Sequence, residues 1–377
     1  MQPRALDRWT GELPGAGLAF TPQGCRLGAR SRPAEDPQQL ALSFLSAGLP
    51  QAERERLAAQ PGLQLWPHPQ VPGRELLRGP LAQLEALAEA GPALACLLAA
   101  HAAGQRPKRS PQVMGILNLT PDSFSDGGRY PELSQALERA ERMLSEGADL
   151  IDVGGESTRP GSEPVPEAEE IRRTEPLIRA LAARCGAPIS IDTTKSAVAR
   201  AAIDAGASMV NDISAGRFDP RMFALVAERE VDLVLMHIQK TPKDMQQAPE
   251  YGDPVETVFE HLRERVSAGL KAGIPLRRMA IDPGIGFGKR WNDNLQLMRS
   301  IGELRSLGLP ILVGTSRKSM LAIPGGSERP EERDPATLAA QCFALQQGAE
   351  LHRVHAVQEC VAALKISAAL GGIDSLA

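Results

Sequence analysis

Val113-Met-Gly-Ile-Leu-Asn118-Leu-Thr-Pro-Asp-Ser-Phe-Ser-Asp-Gly-Gly128 begins as a short apolar run and breaks at an asparagine into a polar loop. The run is too short for a typical helix and reads as a strand buried on both faces. The loop carries Asp122, Ser123, Phe124 and Asp126 ahead of a glycine pair. A plain connection needs only turn residues. Carboxylates and a bulky ring suit a mobile loop that covers a ligand.

The same rhythm repeats downstream. Further apolar runs occur at Leu150–Val153, Ile189–Ile191, Met209–Val210, Leu233–Met236, Met279–Ile281, Ile311–Val313 and Leu351–Val354. Amphipathic stretches such as Ser134–Leu144 and Thr257–Ala272 lie between them with helical spacing. Gly147-Ala148, Gly206-Ala207 and Gly348-Ala349 each precede a run, where a glycine supplies the left-handed end of a helix. Eight strand–helix units between residues 112 and 377 predict an α/β fold, a (β/α)8 TIM barrel. A doubly wound open sheet is the alternative, but it does not normally use eight similar units.

Residues 1–105 have a different texture, rich in Ala, Leu, Pro, Gln and Arg. Helical pieces are expected at Pro37–Ala47, Gln51–Ala59, Leu81–Ala90 and Ala93–Ala103, with a short strand at Leu76–Pro80. This predicts a small, mostly helical N-terminal domain of unknown role over 1–105. A polar, proline-bearing linker at 106–111 joins it to the barrel at 112–377.

The composition excludes several classes of partner. With 42% hydrophobic and 23% charged residues and a net charge of −4, there is no electrostatic case for nucleic acid or an anionic membrane. Five scattered cysteines (Cys25, Cys96, Cys185, Cys342, Cys360) read as reduced thiols of a cytoplasmic protein. The N-terminus has Arg4, Asp7, Arg8 and Glu12 and no apolar core, so it does not read as a signal peptide.

Barrel chemistry sits at the C-terminal ends of the strands. Those positions hold Asn118, Asp152, Asp192, Asn211, His237, Asp282, Ser316 with Arg317 and Lys318, and Arg353 with His355. Asp192, Asn211 and Asp282 combine acceptors with an amide and suit a flat heterocycle bearing amino and keto edges. Arg159, the Ser316–Ser319 stretch and the pair Arg353/His355 form a cationic group suited to phosphate or diphosphate. Arg353 and His355, two apart on a strand, should face the same side. His237 is read as a structural hydrogen-bonder.

Seven segments carry a resemblance. They are Asn118–Gly128, Asp152-Val-Gly-Gly-Glu-Ser-Thr-Arg-Pro-Gly161, Ile191-Asp-Thr-Thr-Lys195, Asn211-Asp-Ile213, Asp282-Pro-Gly-Ile-Gly-Phe-Gly-Lys289, Gly314-Thr-Ser-Arg-Lys-Ser319 and Arg353-Val-His355. In this order and spacing, residues 112–377 resemble the dihydropteroate synthases of the pterin-binding barrel superfamily.

The resemblance implies joining p-aminobenzoate to a dihydropterin-methyl diphosphate, with no covalent enzyme intermediate. It implies a catalytic set of Lys318, Asp282, Asp192, Arg353 and His355. Asp192, Asn211, Met236, Asp282 and Lys318 would bind the pterin, and Asn118, Arg159, Arg353 and His355 the diphosphate. Asn118 would also take Mg2+, the implied cofactor. Thr158, Pro160, Phe287, Lys318 and Ser319 would frame the p-aminobenzoate site, where sulfonamides compete. The loops after the first two barrel strands would close over the site, and a homodimer is expected. Ala356 and Trp291 depart from the usual pattern of an aspartate and a histidine. The rival readings are a methyltetrahydrofolate-dependent methyltransferase on the same barrel and a non-catalytic pterin-binding paralogue.

Overall fold

A computed structural model describes residues 30–32, 39–45, 50–67, 74–88, 94–95, 98, 108–119, 129–325 and 327–373. The expected loop residues Asp122, Ser123, Phe124 and Asp126 lie outside these, as do Cys25, Cys96 and most of Ala93–Ala103.

The N-terminal segment corrects the expectation of a mostly helical domain. Strands β1 (Arg30–Arg32), β2 (Gln39–Leu45), β3 (Gln64–Pro67) and β4 (Arg74–Pro80) form an antiparallel sheet in the order β1-β2-β4-β3. The helices Gln51–Ala58 and Leu81–Ala88 and the strand over Leu76–Pro80 stand as expected. The helix expected at Pro37–Ala47 is replaced by β2. Its sequence, QLALSFL, places Leu40, Leu42 and Phe44 at alternate positions. Pairing with β1 on one side and β4 on the other outweighs its local helix propensity.

From residue 112 the barrel is as expected. Its strands are β5 (Gln112–Asn118), β6 (Leu150–Gly154), β7 (Ile189–Asp192), β8 (Met209–Asp212), β9 (Asp232–Met236), β10 (Met279–Asp282), β11 (Leu312–Val313) and β12 (Leu351–Val354). All pairings are parallel, in the order β10-β9-β8-β7-β6-β5-β12-β11. A parallel bridge between Ile281 and Ile311 joins the two ends of the sheet.

Two apolar layers follow from the two-residue period of the strands. Outward-facing residues, among them Val153, Ile191, Val210, Leu235, Ile281, Val313 and Val354, pack with the surrounding helices into the main core. Inside the barrel, Met114, Leu150, Met209, Val234, Ala280, Leu312 and Leu351 form a separate buried plug. Seven strands each contribute one member, while β7 contributes Ser190, whose partner in register is Asp152. One further inward step along β6, β7, β8, β9, β10 and β12 reaches Asp152, Asp192, Asn211, Met236, Asp282 and Arg353. The apolar plug is the floor on which these residues stand.

Candidate active site

Arg353 joins two of the acids above the plug. Its Nε donates to Asp152 Oδ2 at 2.6 Å and one terminal nitrogen donates to Asp192 Oδ2 at 2.7 Å. Asn211 Nδ2 donates to the same Asp152 oxygen at 3.1 Å, which turns its carbonyl oxygen away from that acid. Asp152 therefore orients both an amide and a guanidinium. Its place at a strand end marks it as an acid of the mouth, but no local pattern signals this bridging role.

Asp152 and Asp192 each keep a second buried carboxylate oxygen without a hydrogen bond among the described residues. Buried acceptors normally find donors. An open pair in a barrel mouth suits the N–H groups of a ligand. Burial pushes Asp192 up to about 7, against the opposing field of Arg353. Burial also raises Asp282, opposed chiefly by Lys318.

Asp282 accepts the backbone N–H of Gly284 at 2.7 Å, the first bond of the glycine-rich turn. Gly284 has φ +67°, and a Cβ there would lie 1.9 Å from the His237 carbonyl oxygen. Only glycine fits this position. Lys289 closes the turn from inside: its buried Nζ reaches the carbonyls of Gly284 (2.8 Å), Phe287 (2.9 Å) and His237 (3.2 Å), and His237 Nδ1 at 2.9 Å. His237 is thus the structural group expected of it. The role of Lys289, the last residue of the motif, is not legible in the sequence, because nothing in its spacing shows that its side chain folds back.

Lys318 Nζ donates to the Ile285 carbonyl and sits 4.3 Å from the centre of the Phe287 ring. Burial lowers Lys318 to about 7, with Asp282 pulling the other way. Phe287 packs against Ile213, Met236, Ile238 and Met245, an apolar wall beside the polar ring.

Two residues before Lys318, Ser316 Oγ lies 2.9 Å from His355 Nδ1 and accepts the His355 backbone N–H at 3.1 Å. Burial, then the guanidiniums of Arg317, Arg353, Arg159 and Arg139, push His355 down to about 3. Arg353 and His355 bond to different partners, so their expected pairing holds as proximity only.

Arg317 departs further from the cationic group in which it was read. Held in a left-handed conformation at φ +59°, it turns to Asp334 with two bonds of 2.9 and 2.8 Å. Thr158 is half-buried, whereas Arg159, Pro160 and Ser319 are exposed at the rim. Asn118 is half-buried at the end of β5. A Cβ on Gly154 would lie 3.2 Å from Asn118 Oδ1 and 3.7 Å from the Asp192 Cβ, so the two side chains flank the same bare stretch of backbone.

The profile of the family described as pterin binding enzyme matches residues 114–355. The dihydropteroate synthase of Synechocystis sp. is 44% identical over 258 residues, covering 68% of this chain and 89% of that protein. This chain belongs to the dihydropteroate synthase family. The solved dihydropteroate synthase of Xanthomonas albilineans with 4-aminobenzoic acid is 46% identical, with a TM-score of 0.65, covering 69% of this chain and 93% of that one. A probable bifunctional folylpolyglutamate synthase/dihydropteroate synthase of Haloferax volcanii is 47% identical over 257 residues. That match covers 68% of this chain and 30% of the Haloferax protein. The dihydropteroate synthase resemblance thus falls on the barrel, while the N-terminal sheet lies outside the matched residues.

Proposed function

We propose that the barrel condenses (7,8-dihydropterin-6-yl)methyl diphosphate with p-aminobenzoate, giving 7,8-dihydropteroate and pyrophosphate in folate biosynthesis. The observation that carries this reading is a ring of buried side chains at one barrel mouth, in which Arg353 bonds Asp152 and Asp192 while a second oxygen of each acid has no donor among the described residues. The pterin fits the acids, with Asp192, Asn211 and Asp282 meeting its polar edge and Met236 its face. The diphosphate fits beside Arg353, with His355 and Arg159. The arylamine enters over Phe287 and Lys318, past Thr158, Pro160 and Ser319.

The chemistry needs orientation and charge rather than a nucleophilic side chain. The bond from the methylene carbon to the diphosphate oxygen breaks, and its electron pair leaves with the diphosphate. Arg353, Arg159 and His355 stabilise that charge. The positive charge left on the methylene spreads into the pterin, beside Asp192 and Asp282. The arylamine nitrogen then supplies its lone pair to the carbon and loses a proton to solvent or to the departing pyrophosphate.

Mg2+ fits the donor set. Asn118 Oδ1 is a hard neutral oxygen beside Gly154 and Asp192 at the end of β5, and Mg2+ commonly takes few protein ligands alongside substrate phosphates. Among the described residues no group of three or more His, Cys, Asp or Glu could hold a metal. Its contribution when bound would be to neutralise leaving-group charge.

The same reading includes a homodimer and residence in the cytoplasm. The helices Asp334–Gln346 and Val357–Leu370 leave Phe343, Ile366 and Leu370 exposed, an apolar surface on barrel helices. Cys185, Cys342 and Cys360 are unpaired thiols, and no described helix is long and apolar enough to cross a membrane.

Incubating the purified protein with the pterin diphosphate, p-aminobenzoate and Mg2+ should release pyrophosphate and form dihydropteroate in equal amounts. Intact pterin binding without any release would sink the synthase reading and leave its two rivals.

A further inference from the structure

The loop that follows β6 carries Thr158, Arg159 and Pro160, and both of its ends meet at one ammonium group. Lys195 Nζ donates to Glu156 Oε2 at 2.6 Å near the start of the loop and to the Val165 carbonyl at 2.7 Å near its end. The same Glu156 oxygen accepts the Val165 backbone N–H at 2.6 Å. A third bond, 2.6 Å to Glu170 Oε2, fastens Lys195 to the helix Glu167–Arg184. Burial works against the charge on Lys195, but Glu156 and Glu170 hold it above the ordinary lysine range.

The loop base is further tied to that helix. Arg173 donates to the Gly155 carbonyl at 2.9 Å, and a Cβ on Gly155 would press within 2.8 Å of Thr174. The loop tip is held differently. Gly161 N–H donates to the Pro242 carbonyl at 3.0 Å, and Lys243 pairs with Glu163 at 2.9 Å on the open surface. Exposed pairs of that kind hold weakly. Lys195 also lies three residues after Asp192, on the turn that leaves β7. The base is therefore fixed to the acid side of the mouth, and the tip is left to adjust.

We propose that Lys195 and Glu156 are positioning residues that hold this loop so that the arylamine, rather than water, captures the methylene carbon. The inference rests on the synthase reading of the site. Water attack would break the same carbon–oxygen bond, form a hydroxymethyl pterin, and release pyrophosphate and a proton.

The test compares wild type with Glu156→Gln, which keeps the Lys195–Glu170 pair, and with the double variant Lys195→Met/Glu170→Gln, which removes the buried pair together and leaves Glu156 the bond from the Val165 N–H. Both variants should raise KM for p-aminobenzoate about tenfold while KM for the pterin diphosphate stays within about twofold. Pyrophosphate should outrun dihydropteroate, and amide hydrogen exchange over residues 155–165 should quicken. Unchanged exchange would overturn the clamp. Faster exchange with an unchanged arylamine KM and matched products would show the cluster to be structural and overturn the positioning role. If the wild-type chain formed no dihydropteroate, the synthase reading would fall and the capture role with it, while exchange would still report whether the clamp holds the loop.

Discussion

Asp192 and Lys318 meet the substrate site from opposite sides of the charge scale, and burial brings both to about 7. Asp192 accepts hydrogen bonds with full strength only when ionised, so pterin binding should weaken as pH falls below about 7. Lys318 acts as a cation only when protonated, so activity should also decline as pH rises above about 7. The profile of kcat/KM is expected to peak near neutrality. Lys318→Arg should lift the alkaline limb, because a guanidinium stays charged there. A wild-type profile without either limb would remove these two groups from the rate. At this scale the sequence was legible where a side chain's direction follows from strand period, as for Asp192, Asn211, Asp282 and Arg353. It was silent on pairing. Arg353 meets Asp192 and Asp152 across 161 and 201 positions of chain, and no local pattern encodes that choice. Arg317 shows the same blindness, since its turn toward Asp334 depends on a helix that arrives later in the chain.

Among the elements, the turn from Asp282 to Lys289 is the most tightly determined. It folds around a buried ammonium, and Gly284 passes against the His237 carbonyl with no space for a side chain. Gly284→Ala is expected to cost about 2 kcal/mol or more, through left-handed strain and a backbone clash. Chemical denaturation would show it as a lower midpoint. The same substitution at Gly161, also at positive φ but with none of the described residues within 4 Å, should cost less. Equal losses would mean that conformation alone, not the close approach, sets the price of a side chain at Gly284. Barrel strands were readable because each is a short, nearly unbroken apolar run. β2 was not, because its alanine, leucines and glutamine favour a helix until two neighbouring strands pair with it.

For the whole molecule, the matched family region begins at residue 114 and the site residues all lie within the barrel. A chain shortened to residues 107–377 should therefore keep kcat within about twofold of the full chain. If dimerisation runs through the barrel helices, its solution mass should remain that of a dimer. A large loss of kcat would give the N-terminal sheet a part in catalysis. The architecture was legible from its eightfold repetition. The role of the sheet was not, because nothing in residues 1–105 carries chemistry at a recognisable spacing.

The apolar plug sets a rule for how such a chain can change. Each of the six inward site positions stands two residues beyond a plug residue or, on β7, beyond Ser190. Adding or deleting one residue inside such a strand would exchange its faces, placing a carboxylate or guanidinium among the helices and a branched aliphatic group in the mouth. Length changes in the connecting loops leave that alternation untouched. Inherited variation in substrate fit or inhibitor escape should accordingly collect in insertions beyond the strand ends, while strand lengths stay fixed.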